Sequence, residues 1–152
     1  MANWMLPFPD SCRTDPFGVH TEARKKAGLG PHRGTDWGMG VKGKSIPAVT
    51  SGKVEKIIES KGLGWVLVQS NANGKLFIGY CHLKAKPTLN VGDAIKMGQR
   101  IGFVGNTGSY SAGDHLHATL GPTVDSFSIG KVYDLHGYIV KHIAAWEAKN
   151  AK

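Results

Sequence analysis

Turn-forming residues divide this chain into short pieces, roughly one turn every 8–12 residues, and that spacing leaves room for brief strands rather than long helices. Glycine alone contributes 21 of the 152 residues. Clusters such as Asn71-Ala72-Asn73-Gly74-Lys75 and Gly105-Asn106-Thr107-Gly108 are rich in residues that tolerate positive φ, which tight turns require. The apolar pieces between turns predict strands over residues 46–48, 53–59, 65–70, 76–82, 94–97, 100–104 and 115–120. Two of these, 65–70 and 76–82, flank the 71–75 turn and read as a hairpin. The period changes only near the end, where Leu135, Tyr138, Ile139, His142, Ile143 and Trp146 fall on one face of an amphipathic helix over 132–149. The expected fold is therefore mainly β: a small antiparallel sheet or sandwich with one C-terminal helix and an irregular N-terminal arm over 1–31.

A chain of 152 residues buries roughly two thirds of the surface its unfolded form exposes. It needs no metal or disulfide merely to fold, and one domain over 1–152 is expected, with its core at 32–121. The apolar runs, such as Trp65-Val66-Leu67-Val68, are far shorter than a bilayer span, so no stable membrane insertion is expected. The first ten residues lack the basic start and unbroken apolar stretch of a secretory signal, and Pro7 and Pro9 interrupt them. The expectation is a protein made in the cytoplasm without a signal peptide. Cys12 and Cys81 are too few for a disulfide framework and too far apart for a metal knuckle, and both read as reduced or buried, with a single bridge as the alternative.

Nineteen Lys and Arg against eleven acids give a net charge of +8, which favours an anionic partner: nucleic acid, an anionic membrane or an acidic polymer such as a bacterial cell wall. The basic residues are scattered in twos and threes, as in Arg24-Lys25-Lys26. They show neither the interleaved aromatics of a single-strand stacking platform nor a helix-turn-helix spacing, so nucleic acid is not expected as a partner.

Three histidine patterns carry the chemistry: His32-Arg33-Gly34-Thr35-Asp36, Tyr80-Cys81-His82-Leu83 and His115-Leu116-His117. A catalytic zinc site needs three nitrogen or carboxylate ligands and one open position, and His32, Asp36 and one of the paired histidines meet that requirement. On a strand, residues two apart share a face, so His115 and His117 project together while Leu116 turns inward. His32 and Asp36 are spaced as on a helical face, but Pro31, Gly34, Gly38 and Gly40 argue against a helix. Fully extended, four residues would hold the two Cα atoms about 13 Å apart, so the chain must bend between them, and Gly34 can provide the bend. No H-E-x-x-H motif is present, which leaves histidine, with an ordinary pKa of about 6.5, as the group for proton transfer. His20, His136 and His142 have no partner pattern and read as ordinary arm and helix residues.

The order of these motifs resembles the lysostaphin/LytM family of zinc metallopeptidases. The resemblance runs from Pro16-Phe17-Gly18 and Gly30-Pro31-His32-Arg33-Gly34-Thr35-Asp36 through Tyr80-Cys81-His82-Leu83. It continues through Val91-Gly92-Asp93, Lys96-Met97-Gly98-Gln99-Arg100-Ile101-Gly102 and Gly105-Asn106-Thr107-Gly108 to His115-Leu116-His117. It implies a small antiparallel β fold with a substrate groove, and hydrolysis of peptide bonds in bacterial peptidoglycan. It makes His32, Asp36 and His117 the ligands of one Zn2+ with a water in the fourth position, and His82 and His115 the catalytic histidines, without dividing the roles between those two. Two departures, Ala118 after the H-x-H and Asp114 before it, bear on the shape of the groove. Residues 106–113 and the 71–75 turn are its expected walls.

The functional expectation is a zinc endopeptidase acting on the peptidoglycan peptide as a monomer. Its basic surface would favour the anionic wall polymer. The role implied is that of a phage endolysin reaching the wall by lysis or holin-type permeabilisation. The alternatives are a non-catalytic cell-wall binding or regulatory module of the same fold, and a basic nucleic-acid-binding protein with a structural zinc.

Overall fold

Strands form where turns and alternation predict them, with more added in the arm and at the first histidine motif. The computed structural model describes residues 1–151. Its strands are β1 (Arg13–Asp15), β2 (Thr35–Trp37), β3 (Ser45–Pro47), β4 (Gly52–Ser60), β5 (Gly64–Asn71), β6 (Phe77–Leu83), β7 (Ala94–Ile95), β8 (Arg100–Phe103) and β9 (Leu116–Gly121). The helices are α1 (Glu22–Lys26) and α2 (Leu135–Asn150). Seven strands form one sheet in the order β1-β2-β9-β6-β5-β4-β7, and β3 and β8 form a separate ribbon. Every pairing is antiparallel.

One face of the large sheet supplies Trp37, Leu67, Ile78, Tyr80 and Leu116 to the main core, where they meet Val41, Ile46 and Ile101 from the ribbon side and Leu135 and Ile139 from α2. A buried polar chain crosses this core. The Tyr80 hydroxyl donates to Gln69 Oε1 at 2.5 Å and accepts from Val49 N–H at 3.0 Å, while Gln69 Nε2 donates to the Thr50 carbonyl at 3.0 Å. The Tyr80 hydroxyl and the Gln69 amide thus find partners within the core, which ties the loop before β4 to the sheet behind it. A smaller apolar cluster of Val66, Val68, Cys81 and Phe127 lies on the other face.

Residues 1–31 hold more regular structure than an irregular arm. β1 pairs with β2 at the sheet edge, and α1 starts at Thr21, whose hydroxyl accepts Arg24 N–H at 3.2 Å. Elements of three and five residues are too short to display a period, which is why the sequence does not reveal them. Trp4 packs edge-on against Tyr138 of α2, ring centroids 4.9 Å apart. At the other end the helix begins at Leu135 rather than at 132, because the Asp134 carboxylate caps it by accepting Gly137 N–H at 3.1 Å. Its predicted apolar face is used only in part: Leu135 and Ile139 are buried, while Trp146 stays 39% exposed beyond the core. Both cysteines are free thiols, Cys81 buried and Cys12 partly so.

Candidate metal centre and active site

Strand register places the first three side chains. Asp36 faces His117 across the β2–β9 pair, and His117 faces Cys81 across β9–β6. Cross-strand partners project to the same side of a sheet, so Asp36 and His117 stand on the face opposite the main core while Trp37 and Leu116 enter it. His32, just ahead of β2, completes the cluster. Gly34 lies at a bend, as expected, and also permits close approach: a Cβ there would collide with the Ala118 carbonyl and lie 2.9 Å from the His117 ring. Ala118 is fully buried in the main core, so its departure from the family pattern does not shape the groove.

His82 reaches the site by a different device. Trp65 pairs with Leu83 and Leu67 with Tyr80, so Val66 alone opposes both Cys81 and His82, a β-bulge. The bulge breaks the inside–outside alternation. Tyr80 and Leu83 point into the main core, whereas Cys81 and His82 both turn to the other face. His82 adopts φ of 61°, the one non-glycine residue with positive φ among the described residues. Its ring lies 4.6 Å from that of His115 and 6.0 Å from that of His117.

The donor atoms of His32, Asp36 and His117 converge. Asp36 Oδ1 lies 3.1 Å from His32 Nε2 and 2.8 Å from His117 Nδ1, and the two nitrogens are 3.1 Å apart. His32 Nδ1 donates to the Pro16 carbonyl at 3.0 Å, which leaves a neutral His32 only a lone pair to aim at the carboxylate. Lone pair against carboxylate is repulsive unless a cation sits between them. The site therefore asks for a positive charge, and its three donors suit a small divalent cation, whose ligand atoms at about 2.0–2.1 Å stand about 3.4 Å from one another in tetrahedral geometry. The observed donor separations are only a few tenths of an ångström shorter than that spacing. The carbonyl of Pro16 fixes the His32 tautomer, as outer partners of metal-bound imidazoles do.

The electrostatics follow the same logic. Burial alone would raise the Asp36 pKa, but hydrogen bonds and charge from His117 and His32 hold it well below the usual carboxylate range. Burial disfavours protonation of His32, yet its hydrogen bond to Asp36 and that group's charge leave its pKa raised. His117 is shifted down, chiefly by burial. The Cys81 thiol is pushed far up by burial and by Asp36 nearby, so it stays protonated and is no nucleophile.

Two imidazoles stand beside the cluster with matched orientations. His82 Nδ1 donates to the Thr107 carbonyl at 2.7 Å and His115 Nδ1 to the Gly113 carbonyl at 2.8 Å, so each presents Nε2 inward. His115 Nε2 lies 3.9 Å from Asp36 Oδ2. The loop over residues 105–113 is what holds both. Thr107 Oγ1 donates to the Leu83 carbonyl at 2.6 Å and accepts Trp65 N–H at 3.1 Å. Asn106 Oδ1 accepts Gly113 N–H at 2.9 Å and also the Ser111 hydroxyl. Sequence reasoning placed Pro16 and Thr107 in motifs but gave neither a role toward the histidines, because each holds its imidazole through a backbone carbonyl, which leaves no side-chain signature.

Burial lowers the His82 pKa to about 4, with repulsion from His115 and His117 adding to it and the Thr107 carbonyl opposing. The unfolded chain therefore binds the His82 proton between pH ~6.5 and ~4 while the folded chain does not, and folding stability falls with pH across that window. For the metal-free protein the loss is about 3 kcal/mol, complete near pH 4. Urea unfolding at pH 7 and pH 4 should show His82→Gln losing less stability than the unaltered chain by about that amount; equal losses would contradict the assignment.

A groove of about 430 Å3 runs over the cluster, lined by Pro31 and its neighbours in the arm, by Ser60 at the end of β4 and the three residues between β4 and β5, by Tyr110 and by Phe127. The β4–β5 turn interlocks with the 105–113 loop: the Tyr110 ring lies directly over Gly62, and Tyr110 N–H donates to the Gly62 carbonyl at 3.0 Å. The 106–113 segment is thus a wall through Tyr110. The 71–75 turn is not; it lines a separate cavity against α2 with Tyr138 and Lys141. The remaining histidines lie apart, His20 on the Leu29 carbonyl, His136 on Asp10 and His142 stacked on Tyr138.

An antiparallel sheet with a His/Asp/His cluster and two further imidazoles on one grooved face defines a metallopeptidase of the lysostaphin/LytM type. The chain belongs to Peptidase family M23, whose profile matches residues 30–127. Lysostaphin from Staphylococcus simulans is 38% identical over 116 residues, which span 69% of this chain and 20% of that protein. The solved catalytic domain of lysostaphin superposes with a TM-score of 0.70 at 28% identity, covering 84% of this chain and 91% of that one. The structure of LytU gives 0.71 at 30% identity, with 95% of each chain covered. This chain spans about a fifth of the length of the curated relatives it matches. Among the described residues no helix is long and apolar enough to cross a membrane.

Proposed function

We propose that the protein is a zinc-dependent endopeptidase that hydrolyses peptide bonds in bacterial peptidoglycan, in a lytic role of the endolysin type. The observation that carries this reading is the pair of inward-facing Nε2 atoms of His82 and His115 beside the His32, Asp36 and His117 donors, all opening on one groove. Support for the substrate comes from the relatives, among them the glycyl-glycine endopeptidase ALE-1 of Staphylococcus capitis, 38% identical over 99 residues. The net charge of +8 suits approach to an anionic wall polymer.

His32, Asp36 and His117 would hold the zinc, which when bound supplies Lewis acidity toward the scissile carbonyl and its attacking water. The protein's own part is proton handling and orientation. His82, neutral at pH 7 and buried, accepts the water's proton at Nε2 through a hydrogen bond fixed from behind by Thr107. His115, more open to solvent, takes a proton from bulk water at Nε2 and passes it to the nitrogen of the departing amine as the C–N bond breaks, and His82 returns the proton it took to solvent. Both rings are locked before substrate arrives, which spares reorganisation in the transition state.

The test is mass spectrometry of fragments released from bacterial walls of several cross-link types. The expected result is one new amino terminus per cleavage, lost with a chelator and restored by zinc. Intact walls after incubation with the zinc-bound protein would overturn the proposal.

A further inference from the structure

The groove is unevenly charged. Apart from Asp36 at its centre, its charged lining residues are all basic: Arg24, Arg33 and Lys61. Arg33 is occupied, its terminal nitrogens donating to the carbonyls of Gly130 and Ser126 at 2.9 Å each. Lys61 has no ion-pair partner among the described residues and stands on the β4–β5 turn, the His82 side of the groove.

Arg24 stands on the opposite, His32 side and is held from three directions. Its N–H donates to the Thr21 hydroxyl, its carbonyl accepts Leu29 N–H at 2.9 Å, and its Nε donates to the Gly30 carbonyl at 2.8 Å, two residues before His32. Its terminal nitrogens have no hydrogen-bond partner among the described residues, and the nearest acid in sequence, Glu22, is paired with Lys25 at 3.3 Å. An arginine fixed by Nε and free at both terminal nitrogens offers a preformed fork for a carboxylate.

We propose that Arg24 is a specificity-determining residue that reads a free carboxylate on the substrate peptide at the His32 side of the groove, Lys61 adding favourable charge across it. The groove then selects acidic stem peptides over neutral stretches such as oligoglycine. This inference rests on the endopeptidase reading above.

The experiment uses the zinc-bound protein and two preparations of one cross-linked stem peptide, one with its carboxylates free and one with them amidated. Wild type should cleave the free form with a kcat/KM about 10- to 100-fold higher. Arg24→Gln should erase that preference by slowing the free form alone, and Arg24→Lys should restore part of it, since the charge returns without the fork. A purely structural role for Arg24 would slow both forms equally. Calorimetric binding of the same two peptides to zinc-bound His115→Ala gives a readout independent of turnover, with tighter binding of the free form expected. Equal cleavage of both forms by wild type, or equal losses in Arg24→Gln, would overturn the role of Arg24 and leave the peptidase standing. No cleavage of any wall or peptide would overturn the peptidase, and the binding comparison would still decide whether Arg24 reads a carboxylate.

Discussion

Asp36→Ala is expected to leave a folded protein that no longer retains metal and no longer opens walls. Asp36 Oδ1 sits 3.1 Å from His32 Nε2 and 2.8 Å from His117 Nδ1, and it brings the only negative charge to the cluster. Removing it leaves two imidazoles to hold a divalent cation in a buried site. A tetrahedral zinc site of about 10–16 kcal/mol assigns several kcal/mol to each ligand, so affinity should fall by roughly 10²- to 10³-fold or more. The fold should survive, because the main core lies on the other face of the sheet and contains none of the cluster residues. Metal content after gel filtration, read beside the clearing of a wall suspension, checks both halves of the expectation. A variant that keeps one zinc per chain and still clears walls would remove Asp36 from the site.

His115→Ala should have the complementary outcome, with metal retained and turnover lowered by about 10²- to 10⁴-fold, the usual contribution of a positioned acid or base. Its Nε2 stands 3.9 Å from the outer oxygen of Asp36, beyond direct contact with the ligand atoms. His115 is also the cleaner of the two catalytic candidates to remove. Its side chain is 17% exposed, whereas His82 is sealed beneath the interlocked loops and its loss would disturb Thr107. Single-turnover cleavage with a defined peptide separates the chemical step from binding. Unchanged turnover would return His115 to the status of a groove residue.

Parts of this site are legible in the sequence and parts are not, for reasons that differ residue by residue. His115 and His117 declare themselves because a strand's period of two is rigid, and Leu116 duly fills the core between them. His32 and Asp36 are found together, and the bend expected at Gly34 is present; what the sequence does not show is that Gly34 also lets β2 lie against the Ala118 carbonyl and the His117 ring, a contact between elements far apart in sequence. His82 is the opposite case. Strict alternation would bury it beside Tyr80, and only the unpaired step at Val66 sends it outward. Bulges carry no reliable pattern of residue types, so the family resemblance rather than periodicity identified it. Arg24 is legible as part of the basic Arg24-Lys25-Lys26 cluster; its meeting with Lys61 in one groove depends on how the arm and the β4–β5 turn fold onto the same face.

The backbone of His82 is where folding and chemistry have separate interests. A left-handed conformation costs a side-chain-bearing residue about 1–2 kcal/mol relative to glycine, and here φ is 61°. Local preference at this position would choose glycine or asparagine; an imidazole held there against that preference fits the proton-handling role proposed for it. If selection for cleavage were relaxed in a chain of this fold, substitution should begin here, because at this one residue drift would ease the backbone as it emptied the active site.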